Sequence, residues 1–353
     1  MALKVVFCWT DISGYMAASW GALAASPDID LFVIAFQAKV ETAFSDQIMA
    51  SIPGHLLGLE TRQDCGYIKS LVQAQRPDVI VLNGWFHRPY RQLASAPAFK
   101  KTPFVLTMDT PWWGTFKQRM APYLLRPFVQ RMSQVVVTGE RSWQYAWRLG
   151  FAPEHIYRGL YGIDFEAFSP LWADRQPNWP QSFLFLGRYA QSKGVDVLVQ
   201  AYQRYRQTVV EPWPLKCCGK GPLAHWLEGQ PGIDDLGFVQ PDQLPAHLKA
   251  AGAFILPSRF DPWPLALVES AAAGLPVLCT DACGSAVEIV RQGYNGLVLP
   301  TANVSKLAEG LVQIHQIYEQ LPIWGKRSQV FAAAYSATLW AQRWQNQLQS
   351  LNP

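Results

Sequence analysis

The sequence predicts an α/β protein of two doubly wound parallel sheets, and three observations carry that prediction. Short apolar runs alternate with helical patterns along the chain, which argues for parallel strands covered by helices on both faces. The alternation lapses once, in the Gly-, Pro- and aromatic-rich stretch GLYGIDFEAFSPLWADRQPNWP at residues 159–180, and then resumes. A chain of 353 residues is long for one core and comfortable for two. The expected division is a first domain at 1–160, a linker at 161–180, a second domain at 181–335 and a terminal helix at 336–353.

In the first half, apolar strands are expected at 4–9, 31–36, 79–82, 104–107 and 135–138, with helical patterns between them, as at 65–75 and 143–149. Ligands on such sheets gather at the carboxyl ends of strands, which directs attention to 11–14, 83–88, 109–114 and Gly139-Glu140. Ser13-Gly14 supplies a single glycine after the first strand. A Gly-x-Gly-x-x-Gly fingerprint is missing there, which weighs against a dinucleotide oxidoreductase. Strands of the second half are expected at 183–186, 215–218, 253–256, 277–280 and 297–299. The last segment, 337–351, reads as a polar helix with Leu339, Trp340, Trp344 and Leu348 on one stripe.

Composition excludes several classes. Half the residues are hydrophobic and 16% are charged, so the chain has large buried cores and is not disordered. The net charge of +4 is mild: it permits attraction to phosphates or anionic lipid and demands neither. No zinc spacing, basic run or aromatic RNA signature supports nucleic-acid binding. Six cysteines without a CxxC pair read as reduced thiols of a cytoplasmic protein, with no disulfide or metal site. Asp28-Ile29-Asp30 precedes a strand instead of following one and is not read as a metal motif. The opening LKVVFCW reads as a first strand, not a signal peptide, and no run of about 18 apolar residues occurs. The segment 112–132 mixes Trp112, Trp113, Phe116, Tyr123 and Phe128 with Lys117, Arg119, Arg126 and Arg131. Such a segment either covers the sheet or lies in the interface at the inner face of a membrane, and Pro122 and Pro127 interrupt it.

Three stretches carry chemistry. In PSRFDPWPLALVESAAAGLPVLCTDACGSAVEIVRQGYNGLVLP, residues 257–300, a helix at 265–273 places Asp261 in the loop at its mouth and Glu269 about a turn and a half inside. Free N–H groups and the positive end of the dipole make that mouth suit an anion, so the natural ligand bears phosphate and offers hydroxyls to the carboxylates. In FLFLGRYAQSKGVDVLVQAY, residues 183–202, Arg188 and Lys193 flank a strand–turn–helix junction. In KCCGKGPL, residues 216–223, Gly219 and Gly221 let backbone approach a ligand.

These stretches resemble the donor-binding elements of the retaining GT-B glycosyltransferases of family four, the glycosyl transferases group 1. The family's Glu-x7-Glu is matched by Asp261 and Glu269, followed by a small-residue run at 271–274, Pro276-Val277, Gly284 and Glu288. Its Gly-Arg-x4-Lys-Gly is matched by Gly187-Arg188 and Lys193-Gly194, and its Gly-x-Gly by Gly219 and Gly221. Its Asn-Gly-Val-Asp…Phe-x-Pro is matched by Gly162, Ile163, Asp164, Phe168 and Pro170, with Tyr161 in place of Asn. The resemblance implies the GT-B architecture: two Rossmann-like domains facing a central cleft, with the last helix crossing back to the N-terminal domain.

It also implies an enzyme that moves a sugar from a nucleotide-activated donor to a glycan, lipid-linked or small-molecule acceptor, with retention and without a metal or other cofactor. UDP and GDP donors stay equally open. Such enzymes are thought to displace the diphosphate on the face that the acceptor attacks. The implied catalytic residues are Asp261, Asp109, Arg188 and Lys193, the two cations holding the departing diphosphate. Donor contacts are carried over to Arg188, Lys193, Gly219, Gly221, Asp261, Trp263, Leu265, Glu269, Ser13 and Gly14.

Some positions depart from the pattern. Asp261 reaches about one methylene less far than Glu, and Pro264 stands where the family has Gly and offers no N–H. Asp109 occupies the position of a family His, with a helix N-cap as its other reading. His87 is an acceptor contact or a loop histidine. The Gly- and Pro-rich linker would let the domains close and bring Asp109 to the sugar. The departures leave a second reading, a catalytically weak GT-B-like subunit that binds nucleotide sugar or a partner protein.

Overall fold

In a computed structural model of the chain, residues 2–37, 49 and 52–351 are described. The chain divides into two compact units, Met1–Ile163 with Ala337–Pro353, and Asp164–Ser336. The first unit holds a seven-stranded sheet: β1 Leu3–Cys8, β2 Ile29–Phe36, β3 Gly54–Leu57, β4 Val79–Asn83, β5 Phe104–Met108, β6 Gln134–Val137 and β7 Ile156–Arg158, in the order β3-β2-β1-β4-β5-β6-β7. The second holds β8 Phe183–Leu186, β9 Leu215–Cys218, β10 Ile233–Asp235, β11 Ala253–Leu256, β12 Val277–Thr280 and β13 Gly296–Leu299, in the order β10-β9-β8-β11-β12-β13. Every strand pairing among the described residues is parallel.

The inner strands are apolar runs because both of their faces are covered. β5, β6, β8, β11 and β12 are buried along their whole length. In each sheet the chain winds one way from its first strand and then returns to the other side of it. That reversal opens a crevice at the carboxyl ends of β1 and β4 in one unit, and of β8 and β11 in the other. β3, β7 and β10 are not marked by the apolar pattern; they are short edge strands reading GHLL, IYR and IDD, half exposed, with one covered face at most. All six cysteines are free.

The helix Ala337–Gln349 belongs to the first unit and completes its core. Trp340, Trp344 and Leu348 are buried with Phe7 and Trp20. The Phe7 and Trp344 rings lie 5.2 Å apart, and Trp9 meets Trp20 edge-on at 5.6 Å. Trp340 Nε1 donates to the Leu160 carbonyl at 2.7 Å. Leu339, expected on this stripe, is exposed. It sits one residue, about 100°, round the helix from Trp340, and Ala341 completes the buried face instead. At Gly162 any Cβ would stand 2.9 Å from that of Trp340, so the chain reaches this helix only through glycine.

Two further expectations are corrected. Residues 164–180 do not form a free linker but are built into the second unit. They carry helices Phe165–Phe168 and Leu171–Asp174, and Arg175 is buried with its guanidinium donating to the Ala273 and Leu248 carbonyls at 2.6 and 2.5 Å. Burial pushes that guanidinium down to about 9. Trp179 Nε1 donates to Gly252 O at 2.9 Å. In the first unit, Pro122 does not interrupt the helix Phe116–Leu124 but lies inside it; the break falls at Leu125, and Pro127 opens the turn Arg126–Val129, where no amide is needed.

Trp340→Ala should destabilise the first unit by about 3–5 kcal/mol, the range for emptying a buried aromatic site. Hydrogen exchange under urea should show the loss in peptides of 2–37, 79–163 and 337–351 and leave 183–335 protected. Equal loss in both units would contradict the assignment of this helix.

Candidate active site

The carboxyl edge of the second sheet brings together residues from three loops. After β8 the chain passes Gly187 and Arg188, forms the 3-10 turn Gln191–Lys193, and enters helix Val195–Thr208 through Gly194, which holds φ of 70°. A Cβ on Gly194 would lie 2.1 Å from Pro257 O, so the turn and the loop after β11 touch backbone to backbone. Arg259 N and Phe260 N both donate to Ser192 O, at 2.7 and 3.1 Å. The Arg259 guanidinium grips Asp196 in a two-pronged ion pair, 2.6 Å on each side. Stitched in this way, the two loops set the Lys193 ammonium against the Asp261 carboxylate as an ion pair.

Asp261 is only 6% exposed. Burial raises its carboxyl above the usual range, and the Lys193 charge draws it part of the way back. Gly284 N donates to Asp261 O at 2.9 Å. A Cβ on Gly284 would meet Pro262 O at 1.7 Å, which fixes glycine in the turn after β12. Arg188, by contrast, is exposed and makes no ion pair among the described residues. After β9, a Cβ on Gly219 would strike Gly187 O at 1.9 Å, and one on Gly221 would strike Tyr189 O at 2.4 Å. Tyr189 is itself held by its hydroxyl, which donates to Asp235 Oδ1 at 2.7 Å.

Trp263 is buried and packs against Tyr335 at 5.7 Å. Pro264 is the N-cap of helix Leu265–Ala272 and no side chain caps it, so the first N–H groups, from Leu265 on, have no side-chain acceptor. Glu269 lies one turn further on, half-buried, and its carboxyl makes no ion pair among the described residues. Burial with no compensating charge pushes its carboxyl up to about 7. An uncapped helix mouth, an unpaired guanidinium, an ammonium and a desolvated carboxyl thus share one edge. Such a set can hold phosphate on the cations and N–H groups and a hydroxyl on Glu269.

In the first unit the expected residues also lie at carboxyl ends of strands. Ser13 is the N-cap of helix Gly14–Ala24, in extended conformation and without a side-chain cap bond. Asp109 follows β5, and it is not a helix cap: Thr115 caps helix Phe116–Leu124 in a capping box with Gln118. Its carboxylate accepts the Tyr161 hydroxyl at 3.3 Å, and its carbonyl accepts Ser142 Oγ at 2.8 Å. Burial, and then the Asp109 charge, hold the Tyr161 phenol well above its ordinary pKa, so Tyr161 stays a neutral phenol whose proton is given to the Asp109 carboxylate as a hydrogen bond. Tyr161 also meets Tyr15 edge-on at 5.5 Å. His87 is tied down, its Nε2 bonded to the Arg62 carbonyl at 2.7 Å and its ring against Tyr90.

The Asp196–Arg259 clasp, the Tyr189–Asp235 bond and the Tyr161–Asp109 bond are absent from the sequence reading. Only the first leaves a sequence signal, an acid in the first helical turn directly after Lys193-Gly194.

Comparison with known proteins places this edge in a family. The model of the glycosyl transferases group 1 matches residues 180–316, and that of the glycosyl transferase 4-like domain matches 14–158. The chain belongs to the group 1 glycosyltransferases. Among curated proteins, an uncharacterized glycosyltransferase of Methanocaldococcus jannaschii is 24% identical over 60% of this chain and 51% of its own length. Glycogen synthase of Mycobacterium tuberculosis is 34% identical over 42% of this chain and 36% of its own. The chain thus spans about half the length or less of these relatives.

Solved structures establish the GT-B architecture. Anabaena HepE, determined with UDP and glucose, has a TM-score of 0.75 at 17% identity over 99% of this chain and 100% of its own. Sucrose-phosphate synthase of Thermosynechococcus elongatus has 0.75 at 15% identity over 99% of each.

Glu269 allows a test free of any ligand. A carboxyl whose pKa is higher in the folded protein than its ordinary 4.5 leaves stability intact below that value and erodes it as pH rises through about 7. Glu269→Gln should therefore match the parent near pH 4.5 and exceed it above pH 7 by on the order of 1–3 kcal/mol. Thermal melts at the two pH values check this, and identical curves throughout would mean that Glu269 is not desolvated.

Proposed function

We propose that the protein transfers a sugar from a nucleoside-diphosphate donor to a hydroxyl of a glycan, lipid-linked or small-molecule acceptor, with retention and without a metal. The observation that carries this reading is the Lys193–Asp261 pair beside the free Arg188 and the uncapped mouth of helix Leu265–Ala272. The C–O bond between sugar and diphosphate breaks in the reaction, its electron pair goes to the diphosphate, and the acceptor oxygen bonds to the sugar as its proton leaves. Negative charge grows on the diphosphate, and fixed cations and N–H groups stabilise it most at that moment. Arg188 and Lys193 take that role. Glu269 accepts from a ribose hydroxyl, and Asp261, already turned toward Lys193, orients that cation and faces the sugar. Gly219 and Gly221 let backbone approach the nucleotide, with Trp263 and Leu265 beside it. Ser13, Gly14 and Asp109, the last held by Tyr161, serve from the first unit. UDP bound to HepE supports a uridine nucleotide as the first donor to try.

Arg188 is the cleaner residue to remove. Lys193→Ala strands a buried carboxylate and confounds chemistry with stability, whereas Arg188 has no partner to strand. Arg188→Ala should melt like the parent and lose about 10²- to 10³-fold in turnover. The decisive measurement is nucleotide release from a panel of UDP- and GDP-sugars without acceptor. Slow hydrolysis of one donor supports transfer. Tight binding without turnover shows the nucleotide-binding subunit instead, and no binding of any donor defeats both.

A further inference from the structure

The helix Phe116–Leu124 of the first unit is amphipathic with its apolar face outward. Inward it presents Gln118 and Ala121, and the Gln118 amide donates to Pro111 O and accepts from Trp113 N, both at 2.8 Å. Outward it presents Phe116, Met120, Tyr123 and Leu124, at i, i+4, i+7 and i+8, which are 78, 36, 75 and 74% exposed. A helix that merely covers a sheet turns such residues inward. Here the polar residue is buried and the apolar stripe meets solvent, so the stripe serves something outside the unit.

Charge says what that is. Residues 79–139 contain eight Lys and Arg and a single acid, Asp109, while the rest of the chain has more acids than bases. Lys117, Arg119 and Arg126 are exposed around the stripe, and none of the eight cations forms an ion pair among the described residues. Pro127 and Phe128 of the next turn, Arg126–Val129, line a cavity of about 260 Å³ together with Arg91 and Arg131. A second copy of the chain would set cations against cations across a two-fold interface. Nucleic acid offers no apolar phase for the stripe. An anionic bilayer offers both charge and hydrocarbon.

We propose that this face docks on an anionic lipid surface. Helix Phe116–Leu124 lies in the interfacial plane, with Phe116, Met120, Tyr123 and Leu124 in the acyl boundary and Lys117, Arg119 and Arg126 among the headgroups. The inference is independent of the transfer chemistry.

Co-sedimentation of the whole protein with vesicles tests it. Vesicles of equal parts phosphatidylglycerol and phosphatidylcholine should bind the protein, pure phosphatidylcholine far less, and added salt should release it. The triple variant Phe116→Ser, Tyr123→Ser, Leu124→Ser changes only exposed side chains and should keep its circular dichroism and its nucleotide binding. Its partitioning should fall roughly tenfold or more. Changing Lys117, Arg119 and Arg126 to Gln should cost about fivefold for each cation. Equal binding to both lipids, no binding, or full binding by the apolar variant overturns the proposal. So does a concentration-dependent dimer, seen by sedimentation, that the apolar variant abolishes while vesicles bind nothing.

Discussion

The ion pair between Lys193 and Asp261 is the contact on which the candidate site depends. Burying a carboxylate is unfavourable unless a cation meets it, and here the cation comes from a turn 68 residues away in sequence. Everything around the pair serves to hold that turn in place. Gly194 admits the backbone of Pro257, Ser192 O accepts two amides of the opposing loop, and Arg259 clasps Asp196 from the far side. The charges are therefore set before any ligand arrives, which is what a site that stabilises developing charge requires. The short reach of Asp261 fits this position, because the carboxylate already lies against an ammonium within the unit.

The architecture was largely legible in the sequence because its inner strands are buried on both faces and so read as unbroken apolar runs. β8, β9, β11 and β12 fall where the pattern put them. The edge strands β3, β7 and β10 were illegible for the opposite reason: only one face is covered, and Asp234 and Asp235 look like a turn. Composition misled at 164–180, where Pro170, Pro177 and Pro180, following Gly159 and Gly162, suggested a tether. The aromatic residues and Arg175 in that stretch are core-seeking, and backbone carbonyls accept the buried guanidinium.

The site was legible in part. Spacing put Arg188, Lys193 and Asp261 in loops that follow strands and Glu269 a turn inside the helix after Asp261, while their joint role came from the resemblance. The pairing of Lys193 with Asp261 was not legible, since spacing fixes where a residue leaves its strand but not which neighbour its side chain finds. Asp109 shows the same limit. Its place after β5 was readable, but its Tyr161 donor lies 52 residues on, in a segment whose conformation follows from glycine contacts with Trp340 and Ser19.

The first unit is interrupted in sequence: its sheet is complete at Arg158, yet helix Ala337–Gln349 covers Phe7 and Trp20 only after the second unit has been traversed. During synthesis the second unit can close on itself first, while the first waits with an aromatic face uncovered. The earliest part of the chain to be made is then the last to finish folding, and in that interval the unfinished face is open to chaperones and to wrong partners.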